Sequence, residues 1–245
     1  MRVSKKYPVL LMLLLFPFLF AGQNYYMAGG GVVASDSCVN LGGNQAYYDA
    51  DHITSNVTYC KPGGTGTITL NNATVSNAQN HTTGGANSIL FEAGTPDRFT
   101  IPVSTGSPMT SSDYYITMWI YPSATTGMNR VLHINPASGD TIQMYINSNN
   151  TVRFEHTGQG AATTGVTSTD TVNDAAWNKV EIKGSVSANK LQITINDGTP
   201  LNDVDSDPVT AFAAEPTVVT FGSNASSFAD DTYMDDIIID DASGL

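Results

Sequence analysis

Charge is scarce in this chain. Only 13% of its residues are charged, against roughly 25% in an ordinary globular protein. Cations are scarcer still: 10 Lys plus Arg face 22 Asp plus Glu, giving a formal net charge of -12. That balance excludes a nucleic-acid footprint, because phosphate backbones are held by clustered cations. Helical periodicity is missing as well, since no long run beyond the first residues repeats its apolar positions at helical spacing. Cysteine is limited to Cys38 and Cys60, too few for a soft-metal site that would have only His52 beside it. The patterns Gly-x-Ser-x-Gly and His-Glu-x-x-His and the phosphate-binding loop are also absent, which argues against hydrolase, zinc-protease and nucleotide chemistry.

Polarity comes instead from Gly, Ser, Thr and Asn, and 41% of the 245 residues are apolar. That is enough for one core, and the length suits one all-β domain. Residues 1–21 read as a secretory signal peptide, with Arg2, Lys5 and Lys6 ahead of the apolar stretch Val9 to Phe20 and Ala21 before the cut. The stretch is shorter than the roughly 20 apolar residues that span a bilayer. The expectation is a secreted or cell-surface protein without a membrane span, whose charge shifts from -12 to -15 once the leader is removed. In that oxidising setting Cys38 and Cys60 are expected to form a disulfide, contributing about 3 kcal/mol by restricting the unfolded chain.

Residues 22–85 form a Gly/Asn/Ser/Thr-rich N-terminal extension with two strand candidates, Gln45–Asp49 and Gly66–Leu70, able to lend a strand to the main domain. From residue 88 onward short alternating runs stand between Gly, Asn, Asp and Pro turns. They are Ser88–Glu92, Arg98–Pro102, Tyr114–Tyr121, Thr141–Asn147, Thr151–Glu155, Trp177–Lys183, Leu191–Ile195, Thr217–Gly222 and Tyr233–Asp240. Strands with one apolar face need a partner layer. The fold class is therefore all-β, a two-sheet antiparallel β-sandwich.

In order, the pieces "GANSILFEAGTPDRFTIPV", "YYITMWIYPS", "VLHINPASGDTIQMYINSNNTVRFEH", "AAWNKVEIKG", "KLQITINDGTP", "TVVTFGS" and "TYMDDIIID" resemble the laminin-G-like branch of the concanavalin-A-like lectin and glucanase superfamily. The resemblance spans about residues 86–242, so residues 86–245 are taken as a laminin-G-like domain; it implies a concanavalin-A-like jelly roll with one concave and one convex sheet. It does not reach residues 22–85.

Enzymes of that superfamily carry recognisable spacings. The glucanase pattern E-x-D-x-x-E sets two carboxylates across one glycosidic bond, but Glu92, Glu155, Glu181 and Glu215 lie on separate segments and none has an Asp two positions on. Lyase-like members need Tyr, His and Arg to converge on a uronate; Gln143, Tyr145, Arg153 and His156 are the candidates, without the matching motifs. A binding site is the better reading. Tyr115, Trp119 and Tyr121 share one face of their strand, and aromatic rings stack on sugars while amides and hydroxyls bond sugar hydroxyls. Gln143, Tyr145 and Arg153 are expected to complete that groove. The competing reading is that Trp119 is a core ring. The resemblance also implies calcium at a sheet edge, and among the acidic residues Asp235 or Asp236, then Asp97, are the expected ligands. These readings point to a non-catalytic, lectin-like module for glycans or surface polysaccharide. An exported structural or adhesive protein with protein partners at the cell surface, and a polysaccharide lyase with a degenerate motif, are the alternatives.

Overall fold

The computed structural model of the chain describes residues 46–48, 50, 57–61, 64–81, 86–102, 109–202, 208–223 and 228–240. The expected leader and the expected Cys38–Cys60 disulfide lie outside the described residues. Among these residues there is no α-helix, and none long and apolar enough to cross a membrane. The strands are β1 (Ala46–Tyr48), β2 (Val57–Lys61), β3 (Gly64–Asn71), β4 (Thr74–Ser76), β5 (Ser88–Phe91) and β6 (Arg98–Pro102). There follow β7 (Asp113–Pro122), β8 (Asn129–Ile134), β9 (Thr141–Ile146), β10 (Thr151–Thr157) and β11 (Thr164–Thr171). The last are β12 (Asn178–Ser185), β13 (Lys190–Ile195), β14 (Leu201–Asn202), β15 (Val218–Gly222) and β16 (Thr232–Asp240).

They form two antiparallel sheets. The front sheet runs β11-β10-β9-β8-β15-β6-β3, and the back sheet runs β14-β13-β12-β7-β16. The outer edge of β16 is shared: Thr232–Met234 pair with β5, and Ile237–Ile239 pair with β1. The segment read as an extension is part of this body. Its β4 pairs with β5, and β2 joins β1 to β3. The long β3 gives residues 64–68 to β2 and residues 69–71 to β6, so it passes from one sheet to the other along one side of the sandwich.

Alternation within each strand decides what lies between the sheets. Ile116, Met118 and Ile120 of β7, with Val180 and Ile182 of β12, press from the back; Ile142, Met144 and Ile146 of β9, with Val152 and Phe154 of β10, press from the front. Tyr114 crosses the gap. Its ring meets Phe154 edge-on at 6.2 Å, and it lies against Gly184 of β12, where a Cβ would collide with it. The Tyr114 hydroxyl donates to His156 Nδ1 at 3.0 Å, and His156 Nε2 donates to the Thr210 carbonyl at 2.7 Å. A carbonyl can only accept, so Nε2 carries a proton, and burial favours the neutral ring, whose Nδ1 then accepts from Tyr114.

Burial holds the pKa of His156 below its ordinary value, against the opposite pulls of the Thr210 carbonyl and Asp140. Burial and then Arg130 lower that of His133 in the same direction. The unfolded chain therefore takes up protons near the usual value of about 6.5 while the folded chain resists them, so stability is full above that value and falls with pH below it. Urea midpoints measured between about pH 7.5 and 5.5 are expected to decline on acidification. His156→Gln should show a shallower decline; an identical slope would mean that this histidine does not contribute.

Candidate functional site

On the back sheet, alternation along β7 turns Tyr115, Trp119 and Tyr121 outward, away from the core. Trp119 is thus not a core ring, yet it is not an open platform either. The imidazole of His81 stacks on it at 3.7 Å with the planes 20° apart. Trp177 meets His81 edge-on at 5.5 Å and Tyr121 at 5.6 Å, and its indole N–H donates to the Asn80 carbonyl at 3.0 Å. His81 is held there by Asp236, whose Oδ2 is 2.6 Å from Nδ1, and by Asp235, whose Oδ2 accepts its backbone N–H at 3.3 Å. Tyr115 is also committed: its hydroxyl donates to Glu181, and burial together with that bond pushes its pKa up to about 12.

Asp235 sits at an irregularity in β16. Pairing with β7 jumps from Asp235–Trp119 to Ile238–Thr117, which leaves one extra residue in β16, and Asp236 takes a left-handed φ of 46°. This β-bulge frees the buried carboxylate of Asp235 to gather backbone: its Oδ1 accepts from Ala50 at 3.2 Å and from Asp236 at 3.0 Å. The carboxylates expected to hold calcium are engaged by other groups of the chain. Asp235 and Asp236 spend oxygens on the N-terminal segment. Asp97 is buried in a separate turn, accepting the Glu92 N–H at 2.6 Å with Oδ2 while Oδ1 has no partner. Among the described residues no group of three or more His, Cys, Asp or Glu side chains converges as a metal site.

On the front sheet the outward residues of β9 and β10 are Gln143, Tyr145, Arg153 and Glu155. Register sets them in rows across the strands: Arg130, Tyr145 and Arg153 in one, His133, Gln143 and Glu155 in the next. The Tyr145 hydroxyl donates to Gln143, and Arg153 pairs with Glu155. Arg153, Glu155, Thr163, Gly165 and Thr167 line an open groove of about 410 Å³. Gly165 forms its floor, where a Cβ would press on the Phe154 carbonyl at 3.2 Å.

The six residues expected to share one groove are therefore divided. Tyr115, Trp119 and Tyr121 face out from the back sheet, Gln143, Tyr145 and Arg153 from the front, with the whole core between them. Period-two alternation tells which face of a strand is wet, but not which sheet the strand enters. The lyase set is divided in the same way, because His156 points into the core while Gln143, Tyr145 and Arg153 point out. Sequence reasoning missed Arg130, His133 and Glu155 as members of the front face. Glu155 follows the alternation of β10, but an irregularity between Arg130 and Leu132 breaks the alternation of β8 and hides Arg130 and His133 as residues of one face.

A family model for the concanavalin A-like lectin/glucanases superfamily matches residues 93–237, more than half of the chain. The chain belongs to that superfamily. No curated protein matches it. Among solved structures it is similar to botulinum neurotoxin type C, from a study of cell entry dependent on two ganglioside molecules, with a TM-score of 0.60 and 9% identity over 84% of this chain and 50% of that one. The binding domain of botulinum neurotoxin DC in complex with SialylT gives a TM-score of 0.54 and 13% identity over 74% and 45%. The binding domain of serotype G gives 0.54 and 10% over 73% and 44%. The superfamily member described here thus spans half or less of those chains, and at such identity the likeness is one of fold.

Asp235→Ala would strand three backbone donors and is expected to cost about 3 kcal/mol. Acrylamide quenching of tryptophan emission should rise in this variant and in His81→Ala, as residues 80–81 lift from Trp119. Unchanged quenching in both would show that these contacts do not cover the ring.

Proposed function

We propose that the chain is an exported, non-catalytic carbohydrate-binding module that uses the outer face of the front sheet. The observation that carries this reading is the row Arg130, Tyr145, Arg153 lying in register beside His133, Gln143 and Glu155. One aromatic ring among guanidinium, amide and hydroxyl groups is the mixture that recognises a sugar, whose ring faces are apolar and whose edges are hydroxyl-lined. Superfamily membership and the ganglioside and sialyl ligands named for the neighbouring toxins support the same reading. The back sheet offers less, since Trp119 and Trp177 are already packed against residues 80–81 and Tyr115 is bonded to Glu181.

Affinity electrophoresis through gels containing neutral and acidic polysaccharides tests this. The chain with its leader removed should be retarded by at least one of them, equally with and without chelator, and Tyr145→Ala should weaken the retardation about tenfold. Mobility unaffected by any polysaccharide would overturn the reading. A lyase is the second reading, and one observation favours it: His133, held in its neutral base form by burial and Arg130, lies beside Gln143 on this face. Unsaturated-sugar absorbance on a polyuronate panel would identify it.

A further inference from the structure

We infer that the front face binds an extended anionic polysaccharide, laid across the strands, whose acidic groups recur on alternate sugars. This rests on the carbohydrate reading of the same face and specifies its ligand. Beyond the leader the chain has three arginines, Arg98, Arg130 and Arg153, and all three point outward from this one sheet. They also fall in one row. Arg98 of β6 is opposite Gly222 of β15, Arg130 of β8 reaches Ser223 at the end of β15 through Nη2 at 2.8 Å, and Arg130, Tyr145 and Arg153 are cross-strand neighbours. Across the sheet the arginines thus stand on every second strand, β6, β8 and β10, with Tyr145 of β9 between the last two and the buried Gly222 of β15 between the first two.

Neighbouring strands lie about 4.8 Å apart, so the arginines on every second strand recur at roughly 10 Å. An extended pyranose chain advances by about one strand spacing per sugar. Its acidic groups would meet guanidinium groups at alternate residues, with Tyr145 beneath one of the sugars between. The adjacent row, Thr100, Thr220, His133, Gln143 and Glu155, sets hydroxyl and amide groups along the same track.

Charge on this face runs against the rest of the molecule. On the outward positions of β3, β6, β15, β8, β9 and β10 the one carboxylate among the described residues is Glu155, and Arg153 neutralises it. Asp170 of β11 lies instead beside Gly198, at the back-sheet side. Among the described residues Arg98 and Arg130 pair with no carboxylate, and the buried Nε of Arg130 has no partner. The three lysines of the back sheet, Lys179, Lys183 and Lys190, lie on the other side of the core. At physiological salt, screening over about 8 Å leaves the local guanidinium groups, not the overall negative charge, to set what this face attracts.

Hyaluronan, with a carboxylate on alternate sugars, is the probe, and hydroxyethylcellulose is its neutral counterpart. The full chain should bind hyaluronan more tightly, and the affinity should fall between about 50 and 200 mM salt. Arg98→Gln and Arg153→Gln should each weaken it about tenfold, the double variant about a hundredfold, and Lys190→Gln should leave it unchanged. Hyaluronan oligosaccharides long enough to reach all three arginines should bind more tightly than those reaching two. Equal affinity for the neutral polymer, or indifference to the arginine substitutions, would overturn this inference while leaving the carbohydrate reading in place. Binding to neither polymer, nor to any other polysaccharide, would remove both.

Discussion

An amphipathic strand can hide only one of its faces, and almost everything in this molecule depends on where those faces meet. Two antiparallel layers press Ile116, Met118 and Ile120 against Ile142, Met144 and Phe154, removing apolar area worth about 25 cal/mol per Å² from water. The polar residues between them in sequence are sent to opposite exteriors. The core therefore sorts the surface: whatever is read from an outward side chain belongs to the sheet that carries it. His156, one of the polar residues inside, is engaged on both sides by Tyr114 and the Thr210 carbonyl.

The two exteriors are put to different uses. The back one is upholstered by the chain itself, with His81 laid on Trp119 and anchored by the carboxylates at the bulge of β16. The front one stays open, collects the arginines, and carries a hydroxyl-rich relief. Arg98, Arg130 and Arg153 stand on this face, while Lys179, Lys183 and Lys190 belong to the back sheet. Guanidinium is the more weakly hydrated and more directional of the two, suited to planar recognition of carboxylates and sulfates.

Much of this is legible in the chain. β6 is readable end to end as Arg98–Pro102, and β7, β9 and β13 nearly so, because each alternates cleanly and is bounded by turn residues. β11 escapes, since "TGVTSTDT" offers Val166 as its one apolar residue and hides the rest of its inward face in Thr164 and Ser168. The site is half legible. Trp119 and Tyr145 both turn outward as alternation predicts, but their assignment to different sheets is set by strand order, which alternation does not encode. His81 is unreadable as a lid on Trp119, for its partner Asp236 lies 155 residues away. The acidic residues expected to be calcium ligands hold backbone N–H groups at Asp235 and Asp97 and the His81 ring at Asp236, uses that composition cannot distinguish from metal binding.

One consequence of the path of β3 concerns stiffness. Because its first half is hydrogen-bonded through β2 and β1 to the back layer, and its last residues to β6 of the front, the two layers cannot slide past one another without rupturing that single strand. Sandwiches whose layers touch only through greasy side chains can shear a little. This one is pinned along a side by backbone hydrogen bonds that run from one layer into the other. Any motion of one layer relative to the other must therefore break backbone hydrogen bonds as well as apolar contacts.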